Sequence, residues 1–168
     1  MKEMGILSIE EQRTYRTPFV NLKQDNKNFI LNEEQQKVVT YIWEEFKHQR
    51  HHTYLLHGVT GSGKTAVYIE LIEKVIKMGK QAIVLIPEIA LTYQTVVRFY
   101  QRFGERVSIL NSKMSAGERY DQFERAKSGE LDVIIGPRSA LFTPFSNLGV
   151  IIIDEEHEIS YKSDSLPR

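Results

Sequence analysis

The sequence predicts an α/β domain whose mostly parallel sheet has about five or more strands. Five short apolar runs support this prediction, at residues 53–57, 81–86, 106–110, 132–136 and 149–154. Amphipathic helical patterns separate most of these runs, as in strand–helix–strand units. The runs are almost continuous in valine, isoleucine and leucine, which is typical of strands buried on both faces. We therefore expect three layers, with helices on both sides of the sheet.

Length and composition indicate one globular domain. The chain has 168 residues, enough to bury a core, and its 41% hydrophobic and 26% charged residues are typical of soluble domains. Basic and acidic residues are equal at 22 each, so net charge neither indicates nor excludes a nucleic-acid partner. The absence of cysteine excludes disulfides and thiolate metal sites in this chain. We find neither a membrane-spanning apolar run nor a signal-peptide core, so a cytoplasmic location is expected.

The first 30 residues differ from the remainder. They contain one short apolar patch, residues 5–9, followed by the polar stretch NLKQDNKN. Such a stretch is typical of a linker, and the segment before it is too short to fold alone. We expect residues 1–30 to be a linker and the tail of a preceding domain, and residues 31–168 to form the folded domain.

Helix ends are marked by capping residues. Asn32 with Gln35, and Ser115 with Glu118, each match a capping box that opens a helix. Gly79 is well placed to end the helix that precedes it, and a further helical stretch runs to about Gly104. Several aromatic residues fall at helical spacings, which favours a core position over a base-stacking surface: Trp43, Phe46, Phe99 and Phe103.

Residues 58–65, GVTGSGKT, match the pattern G-x-x-x-x-G-K-[ST] of a phosphate-binding loop. Its glycines let the backbone turn tightly and point its N–H groups inward, and the helix that follows adds a positive N-terminal end. Lys64 is expected to contact the outer phosphates of ATP, and the Thr65 hydroxyl to hold Mg²⁺. The predicted loop comprises Gly58, Val59, Thr60, Gly61, Ser62, Gly63, Lys64 and Thr65. An apolar run before the loop and a helical pattern after it make a chance glycine turn the weaker interpretation.

An acidic segment follows the last apolar run. Asp154 ends that run, and residues 154–157 read DEEH. Ligands of parallel α/β sheets bind at the carboxyl ends of the strands, which favours a functional site over a solvated acidic turn. We expect Asp154 to bind Mg²⁺, directly or through water, and Glu155 to orient or deprotonate the attacking water.

A phosphate-binding loop combined with D-E-x-H resembles the superfamily 2 helicases and translocases. Four further stretches closely resemble the primosomal protein N-prime family of bacterial replication-restart helicases: IPEIALTYQT (86–95), LNSKMSAGER (110–119), IGPRSALFTPF (135–145) and DEEHEISYK (154–162). The resemblance extends from about Leu31 to the last residue. The segment EQRTYRTPF also resembles the join that precedes the helicase core in this family.

The resemblance implies the first RecA-like, ATP-binding lobe of a DNA helicase. Such a protein couples ATP hydrolysis to movement along single-stranded DNA and to unwinding, in replication restart and primosome assembly. It also implies that Gln35, or its neighbour Gln36, reads the adenine. His157 would couple nucleotide state to DNA state. The expected catalytic residues are therefore Lys64, Glu155 and His157.

The resemblance also implies three groups of DNA-binding residues. Two are motif positions and the third begins a DNA-sensing loop: Pro87, Leu91, Thr92 and Gln94; Gly136, Arg138 and Ser139; Tyr161 and Lys162. Backbone amides, hydroxyls and a base-stacking aromatic ring suit a channel for single-stranded DNA. The chain departs from the family at Pro137, where threonine is frequent, and at Tyr93, where proline is frequent.

The family has parts that match nothing in this chain. By resemblance, the second RecA-like lobe, the zinc-binding cysteines and the arginine fingers are expected beyond Arg168, and a DNA-binding domain before residue 1. The implied partners are single-stranded or forked DNA, the second lobe and other primosome proteins, at the bacterial nucleoid and without a membrane. We expect the chain to bind Mg-ATP weakly and to hydrolyse it slowly.

Three other functions remain open. Another superfamily 2 repair or recombination translocase is disfavoured by IPEIALT and DEEHEISYK. A nucleotide-binding switch that does not hydrolyse ATP would not need Glu155. A small-molecule kinase would lack the DNA motifs. The histidines of KHQRHH, at 48, 51 and 52, favour a solvated turn over a metal site.

Overall fold

The computed structural model describes residues 30–50, 52–59 and 61–161. In these ranges the chain forms four α-helices and four β-strands. The predicted linker up to residue 29, His51, Thr60 and Lys162 lie outside the described residues. None of the helices in these ranges is both long and apolar enough to span a bilayer.

The four strands form one parallel sheet, as the apolar runs predict. They are β1 (Gln81–Leu85), β2 (Val107–Ile109), β3 (Val133–Gly136) and β4 (Leu148–Ile153), and their order in the sheet is β2-β3-β1-β4. All three neighbouring pairs are parallel. Leu85 at the end of β1 pairs with Gly136 of β3 and with Ile153 of β4. Three strands therefore end level with one another.

The helices are α1 (Glu33–Lys47), α2 (Lys64–Lys77), α3 (Tyr93–Phe103) and α4 (Ala116–Lys127). Helices α1 and α4 begin at the predicted capping boxes, and α2 and α3 end beside the predicted glycines. Both predicted capping boxes, at the start of α1 and of α4, are formed in full. Gly79, just beyond α2, has a φ of +71°, a left-handed conformation that favours glycine.

Helices cover both faces of the sheet. Helices α2 and α3 pack on one face, around the fully buried Phe99. Helix α4 and the 3₁₀ segment Arg138–Phe142 pack on the other. Helix α1 packs on α2 through Val39, Val67 and Leu71. Of the aromatic residues assigned to the core, Phe99 is confirmed as fully buried, while Trp43, Phe46 and Phe103 are half-buried.

The prediction of a strand at residues 53–57 is wrong, and the described residues form four strands rather than five or more. Strand propensity is expressed only where a segment finds a neighbouring strand. Here Tyr54 packs edge-on against Tyr41 of α1, with ring centroids 6.1 Å apart, and Leu56 joins the cluster between α1 and α2. Leu55 is 75% exposed. The side chains therefore pack against α1, and the backbone forms no ladder with β4.

Burial on both faces holds for β1, β2 and β3 but not for β4. Every residue of the first three strands is buried. In β4, Val150 and Ile152 pack against the cluster around Phe99, whereas Ile151 and Ile153 are 45% and 54% exposed. The expectation of complete two-sided burial is therefore wrong for the strand that precedes Asp154.

Gly136 is a position where the fold has no room for a side chain. A Cβ atom there would lie 2.9 Å from the Leu110 carbonyl oxygen and 3.0 Å from Leu110 Cβ. Backbone cannot move aside as a flexible side chain can. We expect Gly136→Ala to lower the free energy of unfolding by about 1–3 kcal/mol, the usual cost of overpacking. Urea denaturation of the variant and of the parent chain measures this change in the free energy of unfolding.

Ser146→Ala is the matched control for this change, because Ser146 is exposed and its substitution should alter stability by less than about 0.5 kcal/mol. Equal midpoints for Gly136→Ala and the parent chain would show that the neighbouring backbone yields and that packing does not require glycine here.

Candidate functional site

The predicted phosphate-binding loop turns through two glycines in left-handed conformation. Gly61 and Gly63 have φ values of +82° and +84°, which L-residues with side chains rarely adopt. Helix α2 begins at Lys64, directly after the loop. No side chain caps this helix, and its first turn contains no acidic residue. Its N-terminal N–H groups and its positive dipole end therefore suit an anion.

Lys64 lies over the loop. Its Nζ donates to the carbonyl oxygen of Gly58 at 2.7 Å and to that of Val59 at 3.2 Å. The ammonium group is thus held by neutral carbonyls, which are weaker partners than a phosphate oxygen. This position agrees with the predicted role of Lys64 as a phosphate ligand, which stays a prediction.

Of the two candidate adenine-reading glutamines, only Gln35 contacts the loop. Its Oε1 accepts from the Asn32 backbone N at 3.0 Å, and its Nε2 donates to the Ser62 carbonyl oxygen at 2.9 Å. Gln36 is exposed, and its Nε2 lies 3.4 Å from Thr40 Oγ1 on the same helix. The cap of α1 therefore also fixes Gln35 against the loop. An adenine contact stays a prediction.

The two predicted Mg²⁺ ligands, Thr65 and Asp154, are joined by one residue. The Tyr68 hydroxyl lies 3.1 Å from Thr65 Oγ1 and 3.0 Å from Asp154 Oδ2. Tyr68 is only 4% exposed, and burial raises the pKa of its phenol, so the hydroxyl keeps its proton. Tyr68 therefore connects Thr65, on its own helix, to Asp154, which lies 86 positions after Tyr68 in the sequence.

Tyr68 was not predicted as a site residue. It is one of the buried residues of α2 and packs in the cluster around Phe99. The spacing of Thr65 and Tyr68, three residues apart on a helix, places both on one side and was the available signal.

The oxygens of Thr65 and Asp154 fit Mg²⁺. Mg²⁺ prefers oxygen ligands and is usually held by one or two carboxylates together with water and substrate phosphates. Thr65 and Asp154, a hydroxyl and a carboxylate that share one hydrogen-bonding partner, have this chemistry, and Thr65 belongs to the predicted phosphate-binding loop. Among the residues that the structure describes, no group of three or more His, Cys, Asp or Glu could hold a metal ion by itself, and such a site does not require one.

The turn after β4 brings Glu155 and His157 together. Glu155 has a φ of +51°, and its backbone N donates to Asp154 Oδ1 at 3.1 Å. Glu155 Oε2 lies 3.5 Å from His157 Nε2. Both side chains are exposed, with 44% and 69% of their surface accessible, so they can meet a nucleotide or solvent. Their catalytic roles stay predictions.

A cavity of about 500 Å³ lies beside this turn, and we call it the groove. Its lining includes four of the predicted DNA-binding residues: Pro87, Arg138, Ser139 and Tyr161. It also includes Glu88, Ile89, Pro137 and Phe142, for which no role was predicted. Ile89 and Phe142 are 83% and 78% exposed. Apolar side chains with so little burial do not stabilise the core, and only their exposure, which the sequence does not reveal, singles them out.

The other predicted DNA-binding residues that the structure describes do not line the groove. Leu91 packs against the cluster around Phe99, and Thr92 caps α3 by accepting from the Thr95 backbone N at 3.3 Å. Gln94 is exposed on the first turn of α3. Gly136 is buried in the sheet. Their roles in DNA binding stay predictions.

Tyr161 joins the groove to the end of β4. Its hydroxyl donates to the Asp154 carbonyl oxygen at 2.9 Å, and its ring packs against the core between the sheet and α4. Burial raises the pKa of this phenol also, and the nearby carboxylates of Asp154, Glu155 and Glu158 add to the effect. The residue that binds the backbone of a predicted metal ligand is therefore also a wall of the groove.

Comparison with known proteins gives two findings. The family model described as "Type III restriction enzyme, res subunit" matches residues 28–166. Three relatives, each called "Replication restart protein PriA", come from Bacillus subtilis, Chlamydia pneumoniae and Haemophilus influenzae. They are 46%, 41% and 45% identical to this chain, over 99%, 99% and 90% of its length. The chain spans about a fifth of each relative: 21%, 22% and 20%.

We expect Lys64→Ala to abolish detectable nucleotide binding while the fold persists, because the only charged group of the loop is removed and its backbone is not. Isothermal titration calorimetry with Mg-ATP measures the loss, and circular dichroism checks the fold. Lys127→Ala removes an equal charge from the exposed end of α4 and should bind as the parent does. An unchanged affinity in Lys64→Ala would show that residues 58–65 are not the phosphate site.

Proposed function

This chain belongs to the family described as "Type III restriction enzyme, res subunit", and we propose that it forms the first, ATP-binding RecA-like lobe of a DNA helicase that acts in replication restart. The names of the relatives support the restart role. One structural observation carries the proposal: Tyr161 hydrogen-bonds the backbone of Asp154 and also lines the groove. A helicase needs a structural connection between its nucleotide site and its DNA-binding site.

The nucleotide half of the function rests on the edge of the sheet where Asp154 lies. Lys64 binds the outer phosphates and Gln35 the adenine, and both side chains already contact the loop backbone. Thr65 and Asp154 hold Mg²⁺, which neutralises phosphate charge when bound. Glu155, next to Asp154 and exposed, orients the attacking water and accepts its proton, with His157 at 3.5 Å.

The DNA half of the function rests on the groove. Arg138 is exposed and forms no ion pair with any described residue, so its charge is available to a phosphate. The Glu88 carboxylate also lines the groove, and its negative charge would repel DNA. Two hydrogen bonds hold this carboxylate against Ser112: it accepts from the Ser112 backbone N at 2.5 Å and from the Ser112 hydroxyl at 2.7 Å. Phe142 presents an exposed ring on which a base can stack. A cation and an aromatic ring on one cavity fit single-stranded DNA.

The coupling of the two halves runs through the turn between Asp154 and Tyr161. A base or phosphate that displaces the Tyr161 ring also displaces its hydroxyl from the Asp154 carbonyl. Asp154 in turn orients the Glu155 backbone through Oδ1. DNA in the groove therefore changes the positions of a metal ligand and of the residue that orients water, which is how DNA would alter hydrolysis.

Steady-state Mg-ATP hydrolysis, with and without single-stranded DNA, tests the function. We expect slow turnover by this chain and a rise of about 10³-fold or more when a longer chain supplies the arginine fingers of a second lobe. Single-stranded DNA should stimulate the longer chain. Strong turnover that does not respond to DNA would contradict the helicase proposal and favour a small-molecule kinase.

We expect Arg138→Ala to weaken binding of fluorescent single-stranded DNA about equally for all sequences, because a phosphate contact carries no base preference. The slope of log K against the logarithm of the salt concentration should become less steep by about 1 in this variant. Fluorescence anisotropy across a salt series measures both. Lys127→Ala, on the exposed end of α4, is the control of equal charge. Identical slopes for the two variants would place the phosphate contact elsewhere.

A further inference from the structure

Tyr68 carries a buried hydroxyl that lies between both predicted Mg²⁺ ligands. Its ring stacks on Phe99, with centroids 6.1 Å apart and planes 21° apart, and Phe99 is fully buried. The ring is therefore fixed by the core. The hydroxyl leaves the core at the point where α2 meets the end of β4, 3.0–3.1 Å from Asp154 Oδ2 and Thr65 Oγ1.

The hydrogen bonds around this hydroxyl have a defined direction. A phenol has one proton to donate, and a carboxylate is a stronger acceptor than a hydroxyl. Tyr68 therefore donates to Asp154, and the rotatable Thr65 hydroxyl provides the second contact. The other carboxylate oxygen, Oδ1, accepts from the Glu155 backbone N. Both oxygens of Asp154 thus accept a hydrogen bond, one from helix α2 and one from the turn after β4.

Packing alone does not explain the hydroxyl. Phe99, next to Tyr68 in the same cluster, fills the core without a polar atom. A buried hydroxyl without partners would cost about 1–3 kcal/mol, so its presence requires the acceptor that Asp154 supplies. Among the described residues, its two hydrogen-bonding neighbours are the two predicted metal ligands.

We propose that Tyr68 is a positioning residue for the divalent cation of the nucleotide site. It orients the Asp154 carboxylate and the Thr65 hydroxyl before the cation arrives, so that less ordering is needed when Mg-nucleotide binds. Outer groups that orient metal ligands commonly change metal affinity about 10- to 100-fold when removed. The inference rests on the proposed ATP-binding function and adds a residue to it.

Tyr68→Phe tests the proposal because it removes only the hydroxyl oxygen. The measurement is the affinity of a fluorescent ATP analogue across a Mg²⁺ series, with a metal-free point in EDTA. We expect the Mg²⁺ concentration at half-saturation to rise about 10-fold, while the metal-free affinity stays unchanged. Tyr120→Phe, at a 63% exposed position on α4, removes the same atom away from the site and should match the parent.

A lower melting temperature in Tyr68→Phe with an unchanged Mg²⁺ dependence would overturn the proposal, because the hydroxyl would then have a structural role alone. A parent chain that binds the analogue with no dependence on Mg²⁺ would overturn it also, while the nucleotide site itself stands. A parent chain that does not bind the analogue at all would overturn the proposed function and the inference together.

The parent chain offers a second measurement in case Tyr68→Phe does not fold. With ¹³C at Cζ of its 8 tyrosines, adding Mg²⁺ to the chain saturated with the ATP analogue should shift the resonance of a solvent-protected tyrosine. Proposed cation ligands hydrogen-bond its hydroxyl, so its hydrogen bonds must change when the cation binds. Shifts confined to solvent-exposed tyrosines would overturn the proposal.

Discussion

The parallel pairing of β1 with β4 is the constraint on which both candidate sites depend. Leu85 pairs with Ile153, and the Asp154 backbone N donates to the Leu85 carbonyl oxygen at 2.9 Å. On the other side of β1, the Ile86 backbone N donates to the Gly136 carbonyl oxygen, also at 2.9 Å. Three chain segments therefore leave the sheet at the same edge. The groove and the predicted metal ligands are neighbours because these strand ends are level.

Asp154 is the residue through which the sheet, the groove, the acidic turn and helix α2 are connected by hydrogen bonds. Its backbone N bonds β1, its carbonyl oxygen accepts from Tyr161, and its two carboxylate oxygens accept from Glu155 and Tyr68. Each bond leads to a different element: the sheet, the groove, the acidic turn and helix α2. Asp154 therefore contacts all four through hydrogen bonds, and a displacement of this residue would strain each of them.

The sequence predicts local features well and features that need distant partners poorly. Both capping boxes and the glycine that follows α2 are correct because their hydrogen bonds join residues only a few positions apart. The strand predicted at 53–57 fails because pairing depends on a distant edge, and its side chains pack on α1 instead. Tyr68 and Phe142 were missed since an apolar pattern does not reveal where a hydroxyl points or which ring stays exposed.

At the acidic turn, the backbone conformation of Glu155 favours glycine, yet the residue there carries a carboxylate. Its φ of +51° costs free energy in a residue with a side chain, on the order of 1–3 kcal/mol, and glycine would adopt this conformation freely. The bond from the Glu155 N to Asp154 Oδ1 and that from the Glu158 N to the Glu155 carbonyl oxygen offset part of this cost. Glycine would keep both backbone bonds and lose only the carboxylate. A strained glutamate where glycine fits better agrees with the prediction that a carboxylate is needed beside Asp154, the predicted metal ligand, to orient water.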